Sequence, residues 1–135
     1  MQRACLEVRS LHGEAHILVH QLPDLGELPE GYDRLVRVLV NLLDNSLNAS
    51  EVDGVVELRA RASLASLELV IEDRGAGMSQ EQLRRAFEAF ASFRAGGTGL
   101  GLSISRQAVA LLGGVLELEP RRDGAGMRAV VSVPR

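Results

Sequence analysis

Three short segments carry residues whose types and spacing can do chemistry. Asn41 and Asn45 are two carboxamides four positions apart, and on a helix that spacing puts both side chains on one side. Their carbonyl oxygens are hard ligands of the kind Mg2+ takes when it keeps several waters and shares the phosphates of a nucleotide. Asp73 closes an apolar run and precedes Gly75, Gly77 and Met78. A carboxylate so placed can accept a hydrogen bond from an exocyclic amine such as that of adenine, while glycines permit positive φ and close backbone approach. Gly97, Gly99 and Gly101 then lead into a helix-like stretch, where backbone N–H groups and the helix dipole favour phosphate. Each segment alone has a plainer reading: two polar residues at the rim of an apolar face, an ordinary turn, a glycine cluster that says little. In this order on one chain they point to a nucleotide site.

The elements that must position these residues follow from periodicity and punctuation. Residues 4–10 and 15–22 read as short strands, and 22–31 as a loop. Leu35, Val36, Leu39, Leu42, Leu43 and Leu47 make one apolar face of a helix expected from Tyr32 to about Ala49. Residues 55–61 and 64–72 read as a strand pair around Ala62-Ser63, with Val56, Leu58 and Ala60 marking one face and Leu67, Leu69 and Ile71 another. Ser79 with Gln82 forms a capping box opening a helix to about Phe87. Residues 88–98 lack a strong period and read as a loop. A third helix is expected from about Thr98 to Leu112, closed by Gly113-Gly114. Val115–Glu119 and Met127–Val133 read as closing strands, separated by a turn at Asp123-Gly124. Short turns between strands imply an α+β fold: a two-layer sandwich with a mixed, mainly antiparallel sheet and three helices on one face.

Bulk properties narrow the partners. The chain has 135 residues, 46% of them hydrophobic, which fits a single domain over 1–135. No apolar run approaches the length that crosses a bilayer, and the N-terminus has no signal-peptide pattern, so a soluble intracellular domain is expected. The net charge is −3, a poor electrostatic footprint for nucleic acid. All fifteen basic residues are arginine, so any cation meeting a phosphate is a planar guanidinium. Cys5 is the single cysteine; it reads as a small buried hydrophobe and leaves no intrachain disulfide or cysteine-rich zinc site.

With these residues in view, the chain resembles the catalytic, ATP-binding domain of sensor histidine kinases, in the wider Bergerat-fold superfamily with type II topoisomerases and chaperone ATPases. Asn41-Leu42-Leu43-Asp44-Asn45-Ser46-Leu47-Asn48-Ala49-Ser50 is similar to the N box of that family. Asp73-Arg74-Gly75-Ala76-Gly77-Met78 is similar to the G1 box and Phe87-Glu88-Ala89-Phe90 to the F box. Gly97-Thr98-Gly99-Leu100-Gly101-Leu102 is similar to the G2 box, and Gly126-Met127-Arg128-Ala129 sits where a weaker final glycine motif falls.

The resemblance implies roles. Asp73 would bind the adenine amine, with Gly75, Gly77 and Met78 around the base. Asn45 would hold Mg2+ with the phosphates, with Asn41 nearby. Gly97, Thr98, Gly99, Leu100, Gly101 and Leu102 would line the triphosphate. Residues 88–98 would be a short ATP lid that Mg-ATP orders, and Arg94 within it would reach the γ-phosphate as a catalytic cation. Asn48 stands where relatives often carry a phosphate-contacting Lys or Arg. Asn41 stands where ATP-hydrolysing members carry a general-base Glu, so transfer is implied over hydrolysis. The acceptor would be a histidine on a dimerisation domain absent from this chain, since His12, His16 and His20 suit no such role. A fragment of a longer kinase is therefore expected, monomeric alone and unable to phosphorylate itself. Its parent would be a homodimer facing a response regulator, with this domain cytoplasmic and the parent anchored in the inner membrane or not. A serine kinase of the anti-sigma-factor type and a nucleotide-binding pseudokinase remain as alternatives.

Overall fold

The structure is a computed structural model and describes residues 16–20, 33–49, 54–88, 101–122 and 124–135. Its elements in chain order are β1 (His16–Val19), α1 (Asp33–Ala49), β2 (Val55–Ala62), β3 (Ser66–Glu72), α2 (Gln80–Arg85), α3 (Gly101–Leu111), β4 (Val115–Pro120) and β5 (Met127–Pro134). The strand expected over 4–10, the loop over 22–31, Cys5, His12 and Asp123 lie outside the described residues.

The strands form one five-stranded sheet in the order β1-β2-β3-β5-β4. Among the described strands only β1 and β2 run parallel, and α1 lies in the connection between them, because a parallel pair needs a crossover. The other neighbours are antiparallel. The β2–β3 turn is one residue longer than the sequence suggests: β2 runs on to Ala62 and β3 begins at Ser66, not Leu64. Ser63 explains this. Its hydroxyl accepts from the Ser66 N–H at 3.0 Å, and its own N–H donates to the Ser66 carbonyl at 2.9 Å, leaving Leu64 fully exposed at the tip.

Register puts the apolar alternations on a common face. Leu58 pairs with Ile71 and Ala60 with Leu69; Ile71 pairs with Ala129 and Leu69 with Val131; Val131 pairs with Leu116. These residues are buried apart from the half-buried Ala60. Leu35, Val38, Leu39, Leu42 and Leu43 of α1 and Val109 of α3 cover them. Val38 joins the apolar face read from sequence, whereas Val36 and Leu47 are only partly buried. The opposite sheet face is charged, with Arg128 between Glu72 and Glu119 at 3.4 Å from each.

Two ends are capped as the sequence implies. The Ser79 hydroxyl accepts from the Gln82 N–H, and the Gln82 side chain accepts from the Ser79 N–H at 2.9 Å. The helix α2 has no buried residue of its own; Ala86 and Phe87 just beyond it meet the core. At the end of α3, Gly113 has φ of +78°. Its N–H donates to Ala110 and that of Gly114 to Val109, a Schellman motif. No helix of the described residues is long and apolar enough to cross a membrane.

Candidate functional site

The site is strung along the C-terminal half of α1. Asn41, Asn45 and Ala49 follow at four-residue steps, so they form one row with a rise of about 6 Å per step.

At the Ala49 end lies the turn after β3. Gly75 packs so closely that a Cβ there would sit 2.2 Å from the Ala49 carbonyl oxygen, which is why the position takes glycine. Asp73 is 3% exposed. Its Oδ1 accepts from the Gly75 N–H at 2.9 Å and the Met127 N–H at 3.2 Å. The Asp73 N–H donates to the Met127 carbonyl at 2.9 Å. Gly126, at φ +125°, lies against the Asp73 carbonyl, where a Cβ would come within 2.1 Å. One carboxylate oxygen thus stitches the end of β3 to the start of β5. The other, Oδ2, accepts no hydrogen bond among the described residues and remains as an acceptor for a ligand. Burial pushes the Asp73 carboxyl above its ordinary range, opposed by the Gly75 and Met127 hydrogen bonds and by the charge of Arg121.

At the other end, Asn41 meets the start of α3. Its Nδ2 donates to the Gly101 carbonyl at 2.7 Å and to Ser105 Oγ at 2.7 Å. A Cβ on Gly101 would stand 2.9 Å from Asn41 Oδ1, so glycine lets the Asn41 amide lie against the start of α3 without shifting. Asn45 lies midway between the two ends, half-buried and already hydrogen-bonded or paired within the chain.

The structure therefore brings Asp73, Gly75 and Gly126 together with the end of α1, and Asn41 together with Gly101. Gly77, with φ +76°, and Met78 are half-buried beside the first group. Leu102 packs against the core. Asn48 is exposed. Arg94, Gly97, Thr98, Gly99 and Leu100 lie outside the described residues. The lid expected over 88–98 lies there too except Glu88. Its flanks are joined: the Arg106 guanidinium stands 4.5 Å from the centre of the Phe87 ring, a cation–π contact.

Sequence reasoning missed Ser105, which is 2% exposed. A serine four residues after Gly101, inside the apolar stretch of a helix, was the available signal. It also missed the partner of His20, whose Nε2 lies 3.2 Å from Glu57 Oε2. Among the described residues no three His, Cys, Asp or Glu side chains cluster as metal ligands. A single amide oxygen from Asn45 beside nucleotide phosphates would suit Mg2+, which seldom uses an all-protein cage.

A two-layer α/β sandwich with a buried carboxylate at one end of an asparagine row, and a glycine helix start at the other, defines a nucleotide-binding class. The chain belongs to the family of histidine kinase-, DNA gyrase B- and HSP90-like ATPases, whose model matches residues 30–135. Among relatives, it is 33% identical over 110 residues to the sensor histidine kinase ZraS of Escherichia coli O157:H7, covering 82% of this chain and 24% of that protein. It is 38% identical over 116 residues to the histidine protein kinase DivJ of Caulobacter vibrioides, covering 81% and 19%. Its fold matches the mycobacterial sensor histidine kinase MprB with a TM-score of 0.81 at 28% identity, covering 98% and 91%. It also matches full-length ShkA in complex with AMPPNP, with a TM-score of 0.75 at 28% identity, covering 98% and 28%. The chain spans about a quarter or less of the length of these curated relatives.

Proposed function

We propose that this chain is the catalytic, ATP-binding domain of a sensor histidine kinase, which binds Mg-ATP and passes the γ-phosphoryl group to a histidine on a separate dimerisation domain. The observation that carries the reading is Asp73: a buried carboxylate with Oδ1 occupied by two backbone N–H groups and Oδ2 left to accept from an adenine amine. The AMPPNP complex of the similar ShkA supports it.

In this reading the base lies against Gly75, Gly77 and Met78, and the phosphates extend along α1 toward Gly101. Asn45 contributes an oxygen to Mg2+, which neutralises phosphate charge when bound. Gly97, Thr98, Gly99, Leu100 and Leu102 complete the phosphate end, and Arg94 reaches the γ-phosphate. The side chain at 41 is an amide, too weakly basic to take a proton from water as a carboxylate would. Positioning and charge stabilisation carry the transfer. The parent is a homodimer that hands its phosphate to a response regulator, with this domain in the cytoplasm.

The test supplies the chain with γ-labelled ATP and, separately, a histidine-bearing dimerisation domain and a serine-bearing anti-anti-sigma protein. Acid-labile label on the histidine protein is expected. Label on the serine protein, or ATP binding with no transfer even in the full-length parent, would replace this reading with one of the alternatives.

A further inference from the structure

The amide of Asn41 can face only one way. The Gly101 carbonyl is an acceptor with no proton to give, so the Asn41 atom 2.7 Å from it must be the NH2 group. Its second hydrogen goes to Ser105 Oγ, also at 2.7 Å. Ser105 is 2% exposed and sits one turn after Gly101 on α3, so both acceptors lie on the same side of that helix. Both donors of the amide are thereby used on α3. The Oδ1 atom is left, and among the described residues it accepts no hydrogen bond.

We infer that Ser105 is a positioning residue for the nucleotide reaction: with the Gly101 carbonyl it clamps the Asn41 amide so that Oδ1 alone faces the phosphate end. Asn41 is then an acceptor-only group. It can receive a hydrogen bond from a water on a nucleotide-bound cation, and it cannot donate to a phosphate oxygen. The same clamp sets the start of α3 against α1, which fixes the Gly101 backbone relative to Asn45. This inference rests on the Mg-ATP reading of the site.

The experiment compares Ser105→Ala and Ser105→Thr with wild type on the full chain. It measures dissociation constants for adenosine, for ATP without magnesium and for Mg-ATP, together with thermal stability. Loss of one hydrogen-bond acceptor predicts roughly three- to tenfold weaker Mg-ATP binding in Ser105→Ala, with adenosine binding unchanged and recovery in Ser105→Thr. A merely structural serine would weaken all three ligands alike or none, and either result overturns the inference. The second readout needs no nucleotide. The Asn41 NH2 proton held by Ser105 Oγ is expected to be protected from solvent exchange in the free wild type and to lose that protection in Ser105→Ala, while the proton on the Gly101 carbonyl keeps its own. Undiminished protection of both protons in Ser105→Ala would refute the clamp even in a folded variant. Failure of wild type to bind any ATP would instead refute the Mg-ATP reading, leaving the exchange result to decide the clamp.

Discussion

At the scale of the residue, Asp73 combines two demands that pull apart. It is buried, which raises its carboxyl pKa, and it must still offer an acceptor oxygen. Because its folded pKa lies above the ordinary 3.8, the folded state resists ionising. The cost to stability is therefore absent well below that ordinary value and grows to its full size as pH rises through the folded value. Asp73→Asn keeps an oxygen for the Gly75 and Met127 N–H groups and removes the charge. Its melting temperature at pH 7 is thus expected to equal or exceed that of wild type, while its ATP binding is lost; a clear drop in melting temperature would contradict the placement of the charge. Glu57 has the opposite sign. The His20 hydrogen bond first, then the Arg59 hydrogen bond and charge, hold it below its ordinary 4.5 against the effect of burial. Its stabilising contribution is present above about 4.5 and is lost as pH falls through the lower folded value. Melting curves of wild type and Glu57→Gln should converge as the buffer is taken down through that range.

At the scale of the element, the site depends on α1 touching two other segments. Gly75 lets the β3 turn reach the Ala49 carbonyl. Gly75→Ala would place a Cβ 2.2 Å from that backbone oxygen, and backbone cannot swing aside as a flexible side chain can. A destabilisation of about 1–3 kcal/mol is expected from such overpacking, with weaker ATP binding, measurable by denaturant melts and titration. The row of asparagines depends in turn on the buried side of α1. Leu43 has no exposed surface, and Leu43→Ala should cost about 2–5 kcal/mol. Much of this level was legible. The Ser79 capping box, the Gly113 helix end and the apolar periods of α1, β2 and β3 are local patterns with local causes. Helix α1, for example, reads correctly because its apolar face and its asparagines obey one 3.6-residue period. What was not legible is contact between elements. That Ser105 would meet Asn41, or that His20 would meet Glu57, depends on how α3 docks on α1 and how β1 pairs with β2, and no periodicity within one segment encodes that.

At the scale of the whole molecule, the sheet and two helices form a scaffold that holds three separated motifs along one helix. The order of motifs was readable because each is short and chemically distinctive: a carboxylate among glycines, paired amides, a glycine-rich helix start. Their spacing in space was not, since the rise along α1 matters only once Gly75 and Gly101 are known to dock at Ala49 and Asn41, the two ends of one row. The arrangement also bears on the expectation that the chain binds nucleotide without phosphorylating itself. His20 is engaged with Glu57 on the sheet, away from the asparagine row. Incubated alone with labelled ATP, the chain should acquire no acid-labile label; label appearing on it would contradict the division of labour proposed here.

The most direct test of the central claim is calorimetric titration with ATP, with and without Mg2+, on wild type and Asp73→Asn. Wild type should bind ATP, Mg2+ should strengthen that binding, and Asp73→Asn should abolish it while staying folded. Equal binding by wild type and a folded Asp73→Asn would contradict the account, because the buried carboxylate would then have no part in holding the base.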